Sequence, residues 1–137
     1  MKDQTIHRFP EKQLELRGRV RRGDQLGRSL GYPTANLTRH YARFHPVAKG
    51  VYAGWARVGH KRHRAVAVVG VDDKLEVHLI GWHGILYGKC LRFVVVKRLR
   101  GIQKFKTGTL LKNQIRRDIR RAVIFLRKGS YLCSPAS

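Results

Sequence analysis

Acidic side chains are scarce in this chain. Eight Asp and Glu stand against 30 Lys and Arg in 137 residues, a formal charge of +22. Such a field attracts polyanions, whether nucleic acid, acidic lipid or nucleotide phosphates, without choosing among them. It also shortens the search for a general base to eight candidates. Cysteine is rarer still. Cys90 and Cys133 are the whole supply, and neither belongs to a metal-spaced cluster, which argues against a structural zinc site. No apolar run approaches the roughly 20 residues needed to span a bilayer. The opening "MKDQTIHRFPEKQ" has no apolar signal core. A cytoplasmic monomer with no membrane partner is expected. Repeats and low-complexity tracts are absent too. The length fits a single domain over 1–137, with an N-terminal arm at 1–13, a core at about 14–128 and a tail at 129–137.

What is present falls into two patterns. "LELRGRV" (14–20) alternates apolar and polar residues as a half-buried strand does. "VYAGWARVG" (51–59) and "HRAVAVVGV" (63–71) read as a strand pair around the basic turn "HKR". "KLEVHLI" (74–80) is another strand, and "GWHGILYG" (81–88) is a glycine-punctuated turn. "KCLRFVVVKRL" (89–99) is the longest β-branched run and reads as a central strand. The period then changes. In 109–129, Leu111, Ile115, Ile119, Ala122 and Leu126 recur at helical spacing, with Lys112, Arg116, Arg117, Arg120 and Arg121 on other faces and Gly129 as a stop. Strands at short spacing followed by one helix exclude a parallel βαβ fold. They leave an antiparallel barrel or sandwich with a terminal helix packed on it.

The segment least explained by folding is "RGDQLGRSLGYPTANL" (22–37). Gly23, Gly27 and Gly31 let backbone N–H groups approach phosphate oxygens, and Arg28 adds charge. No G-x-x-x-x-G-K-[ST] loop occurs, so this is not a Walker site. Pro33 fixes the backbone ahead of Thr34 and Asn36, whose side chains point the same way in an extended segment. Their two oxygens suit a hard cation such as magnesium, which also keeps water and phosphate ligands; turn capping is the alternative use. Among the carboxylates, Asp3, Glu11 and Glu15 lie in or near the arm, Asp24 in the glycine segment, Asp72 and Asp73 in a turn, and Asp118 among helix arginines. Glu76 alone lies mid-strand, sharing a face with His78. Beside a nucleotide site it is placed to accept a hydroxyl proton; elsewhere it would merely face solvent.

With these residues in view, the sequence resembles the riboflavin kinase (flavokinase) family. The likeness rests on "GRVRRGDQLGRSLGYPTANL", then "GVYAGWARV", "LEVHLI", "LYGK", "LRGIQKF" and "LLKNQIRRDIRRA", in that order from about residue 16 to residue 126. It implies a mainly β fold, a six-stranded antiparallel Greek-key barrel with a C-terminal helix. It also implies ATP-dependent phosphorylation of the riboflavin 5′-hydroxyl to FMN, with Mg2+. Carried over, Gly23, Gly27, Arg28 and Gly31 belong to the flap over the phosphates. Thr34 and Asn36 match the magnesium- and phosphate-contacting pair, and Glu76 the base. Tyr87 and Gly88 fall in a loop near nucleotide and flavin, and Arg100 and Phe105 in a segment covering the flavin. The chain departs from the family pattern in "VVGVDDK" (68–74), around "GWHG" and at Gly101. It carries no adenylyltransferase domain, so FAD synthesis is not expected.

Two other functions compete: a kinase-like barrel serving only as a flavin- or nucleic-acid-binding module, and a structural subunit of an RNA-rich assembly. Thr34, Asn36 and Glu76 together favour the enzyme, because a binding module needs no base. The arginines of the basic helix at 112–128 favour an additional polyanion such as nucleic acid, although no aromatic stacking motif for single-stranded RNA is seen.

Overall fold

The computed structural model describes residues 14–21, 31–37, 47–70 and 74–133, with 128–133 described by backbone alone. The N-terminal arm and the stretch holding Gly23, Gly27 and Arg28 lie outside the described residues.

Alternating sequence becomes strand where one face finds a core. The strands are β1 (Glu15–Arg21), β2 (Ala35–Leu37), β3 (Gly50–Val58), β4 (Lys61–Val69), β5 (Leu75–Leu79) and β6 (Cys90–Arg100), followed by helix α1 (Gly108–Cys133). They close into a barrel in the order β1-β2-β5-β4-β3-β6, and each neighbouring pair is antiparallel. The β3-β4-β5 meander with β2 returning beside β5 is the Greek key that the family resemblance implies. Closure leaves no edge, so β6 is not central. It pairs with β1 on one side and β3 on the other.

The barrel interior is filled by one residue in two from each strand: Leu16, Leu75, Val77, Leu91 and Phe93 are at most 1% exposed. Phe93 explains a glycine. At Gly54, a Cβ would overlap the Val94 carbonyl oxygen and stand 2.6 Å from Phe93 Cζ. The strand register shifts between Ala53 and Gly54 at the same place.

A second cluster lies outside the barrel, where α1 packs on β3, β4 and β6. Val51, Ala53, Val66 and Leu99 of the sheet meet Ala122 and Leu126 of the helix. Thr107 caps the helix, its Oγ1 accepting from the Leu110 N–H at 3.1 Å. The helix does not stop at Gly129 but runs on to Cys133. An internal glycine costs a helix only about 1 kcal/mol relative to alanine, and it ends one only where the chain turns left-handed.

Candidate functional site

Two cavities meet at one residue. The first, about 260 Å³, opens at the barrel mouth between β2, β5 and the 82–87 loop, and its lining includes Thr34, Asn36, Trp82, Leu86 and Tyr87. The second, about 650 Å³, lies on the outer face between β4, β5, α1 and the 100–108 segment, with Glu76, His78, Arg100, Phe105 and Thr107 in its wall. Thr34 lines both. The larger volume is within the usual range for a small-molecule site, and its lining is mostly apolar.

The strand register sets the polar groups. Ala35 and Leu37 point into the core, which turns Asn36 outward. Asn36 pairs directly with Glu76 across β2 and β5. Leu75, Val77 and Leu79 are buried, so Glu76 and His78 share the outer face with it. Opposite residues of an antiparallel pair stand within about 5.5 Å, which places an amide, a carboxylate and the nearby Thr34 hydroxyl along one short front. His78 donates from Nδ1 to the Pro33 carbonyl at 2.7 Å. Its ring meets Tyr32 edge-on at 5.9 Å. Burial pushes the His78 imidazole below its ordinary value, and the bond to Pro33 offsets this only in part. The neutral imidazole therefore holds the backbone immediately before Thr34.

The remaining expected residues divide. Gly31 is exposed and has φ +92°, a conformation that favours glycine. Tyr87 stands in the smaller cavity. Gly88 does not line either cavity but ties the loop to β1, its N–H donating to the Val20 carbonyl at 2.8 Å. Its own carbonyl accepts from Arg19 at 2.7 Å. Phe105 lines the larger cavity, with the Arg100 guanidinium 5.8 Å from its ring centre.

Arg100 also borders that cavity, but its fork is engaged elsewhere. Nε and Nη2 bond Asp118 at 2.9–3.2 Å, and Nη1 donates to the Gly101 carbonyl at 3.0 Å. Gln114 gives Asp118 one more hydrogen bond. Asp118, 3% exposed, is the one buried charged residue among those described. Sequence reasoning missed it. The signal was its place on the apolar helix face, three residues after Ile115 and four before Ala122. Sequence reasoning also missed Trp82, which lines the smaller cavity. Its buried Nε1 has no hydrogen-bond partner among the described residues.

Thr34 and Asn36 offer neutral oxygens rather than a closed ligand cage. No group of three His, Cys, Asp or Glu among the described residues could hold a metal alone. This donor set suits magnesium arriving with phosphates, which retains water and phosphate oxygens.

Comparison with known proteins gives the family and the fold. The family model "Flavokinase: Riboflavin kinase" matches residues 10–126. An RNA-binding riboflavin kinase, RibR, of Bacillus subtilis is 34% identical over 112 residues, covering 76% of this chain and 47% of that protein. The bifunctional riboflavin kinase/FMN adenylyltransferase of Escherichia coli is 38% identical over 115 residues, covering 75% of this chain and 35% of that protein. The chain thus spans less than half the length of either relative. The crystal structure of a riboflavin kinase from Trypanosoma brucei shares the fold, with a TM-score of 0.64 at 22% identity over 93% of this chain and 84% of that one. Barrel and family match converge: this chain belongs to the riboflavin kinase family.

Proposed function

We propose that the protein transfers the γ-phosphoryl group of ATP to the 5′-hydroxyl of riboflavin, giving FMN and ADP. The observation that carries this is Thr34, which borders both cavities, as a phosphoryl transfer between two bound partners requires. The smaller cavity would take the nucleotide, beside Trp82 and Tyr87. The larger would take the flavin, between Phe105 and the apolar residues of the outer sheet. Thr34 and Asn36 would hold magnesium, which supplies charge neutralisation on the donor phosphates.

Glu76 accepts the proton of the ribityl hydroxyl as that oxygen bonds the γ-phosphorus and the bond to ADP breaks. Phosphoryl transfer depends chiefly on positioning and charge. Accordingly, the Pro33–His78 bond and the Arg100–Asp118 fork hold the Thr34 strand and the 101–107 segment in place. The reading places the protein in the cytoplasm as a monomer. Incubation with riboflavin, ATP and magnesium, followed by chromatography, should yield FMN and ADP in equal amounts. Flavin recovered unchanged would refute it.

A second property is favoured by charge. Lys112, Arg116, Arg117 and Arg120 are exposed on α1, more cations than one ATP requires. The Bacillus subtilis relative is named as an RNA-binding riboflavin kinase. We propose salt-sensitive, sequence-nonspecific nucleic-acid binding beside catalysis. Filter retention of labelled RNA at low salt tests it.

A further inference from the structure

Four arginines from four strands are brought into one row by the barrel register. Arg17 of β1 stands opposite Arg92 of β6, Arg92 opposite Arg57 of β3, and Arg57 opposite Arg62 of β4. Leu16, Ala56, Leu91 and Phe93, the chain neighbours of Arg17, Arg57 and Arg92, are buried in the barrel, so these three point outward, and Arg62 shares their face through its pairing with Arg57. With strands about 4.8 Å apart, the row is about 14 Å long. Arg57, Arg62 and Arg92 are exposed, and Arg17 is partly so.

Folding does not account for this row. Like charges directly opposite one another destabilise a sheet, and here the juxtaposition occurs three times in succession. Relief is small. Glu15 lies 3.5 Å from Arg17 and 3.8 Å from Arg92. Of the other two carboxylates among the described residues, Asp118 is bonded to Arg100 and Glu76 pairs with Val68, six residues along β4 from Arg62. Arg62 is propped over the Trp55 ring at 4.8 Å, which holds its guanidinium out on the surface. Lys61 and Arg64 flank it, both exposed.

We propose that this row is a docking track for the phosphodiester backbone of single-stranded nucleic acid. The proposal rests on the nucleic-acid reading above and gives it a surface on the sheet, distinct from the helix. A file of regularly spaced cations matches a linear polyanion. A flexible single strand can follow the curved barrel wall and bring successive phosphates to successive arginines. A membrane fits less well, since the large exposed apolar residues among those described (Ile85, Tyr87, Val96, Ile102, Leu110 and Ile124) are not in the row. Distance separates it from the kinase site. None of the four arginines lines either cavity; Arg62 lies four residues along β4 from Val66 of the larger one and Arg17 three residues along β1 from Val20 of the smaller, or about 13 and 10 Å of strand.

The test compares wild type with the Arg57→Gln/Arg62→Gln/Arg92→Gln variant, binding a labelled single-stranded oligouridylate over a range of salt. Each phosphate contact contributes about 0.7 to the slope of log affinity against log salt. The triple variant should therefore flatten the slope by about 2, while FMN formation stays at the wild-type rate. The corresponding triple Arg→Lys variant should keep the wild-type slope, and Arg57→Gln alone should lose about 0.7. An unchanged slope in the triple Gln variant, with loss confined to helix variants, would overturn the track but leave nucleic-acid binding standing. No retention of wild type at low salt would overturn both. Capture by anionic phospholipid vesicles in place of the oligonucleotide would overturn it as well. FMN formation is measured separately, so none of these outcomes is confused with failure of the kinase.

Discussion

Arg100 closes a fork on Asp118. Its Nε lies 3.0 and 3.2 Å from the two carboxylate oxygens, and its Nη2 lies 2.9 Å from Oδ2. The pair joins the end of β6 to the middle of α1, and the 101–107 segment between them walls the larger cavity. A buried charge pair contributes little net stability against an apolar substitute, but removing one member strands the other.

Asp118→Asn should therefore destabilise the fold by about 3 kcal/mol, the low end of the range for a broken buried pair, because Arg100 keeps 18% side-chain exposure. Urea unfolding reads this directly. Loosening of the 101–107 segment should also raise the KM for riboflavin more than it lowers kcat. A variant of unchanged stability and unchanged KM would show that the fork positions nothing.

Thr34→Ala and Asn36→Ala should raise the magnesium and ATP concentrations needed for half-maximal rate, with little change in melting. Both side chains stand on the outer face, away from the core, and losing either removes an oxygen donor. An early-melting variant with normal ATP and magnesium kinetics would restore the turn-capping role.

His78 links the site to pH. Its pKa is lowered in the folded protein, by burial first. Between that lowered value and the ordinary value of about 6.5, the unfolded chain binds more protons than the folded one. The contribution to stability is then complete above about pH 6.5 and declines as pH falls through the folded pKa. His78→Gln should reduce the dependence of unfolding free energy on pH over this window. Identical pH–stability curves for wild type and variant would remove His78 from the account.

The sequence was legible wherever a local pattern carried the information. Alternation in "LEVHL" placed Glu76 and His78 on one face, and helical spacing placed Ala122 and Leu126 in the α1 interface. Three features were not legible, each for a physical reason. Strand β2 has three residues, too few for a period to show. Asp118 is buried because Arg100 and Gln114 reach it, and neither partner can be inferred from the arginines beside it. The row of Arg17, Arg92, Arg57 and Arg62 depends on strand register. A shift of one residue would turn one of these side chains inward.

The central claim is that Glu76, which lines the larger cavity with Thr34, takes the proton from the flavin hydroxyl. The most direct measurement compares the rate of FMN formation by Glu76→Gln and by wild type, with ATP affinity measured in parallel. General-base removal should slow the reaction by about a hundred- to ten-thousand-fold while ATP binds with near-normal affinity. A variant that forms FMN at the wild-type rate would contradict the account.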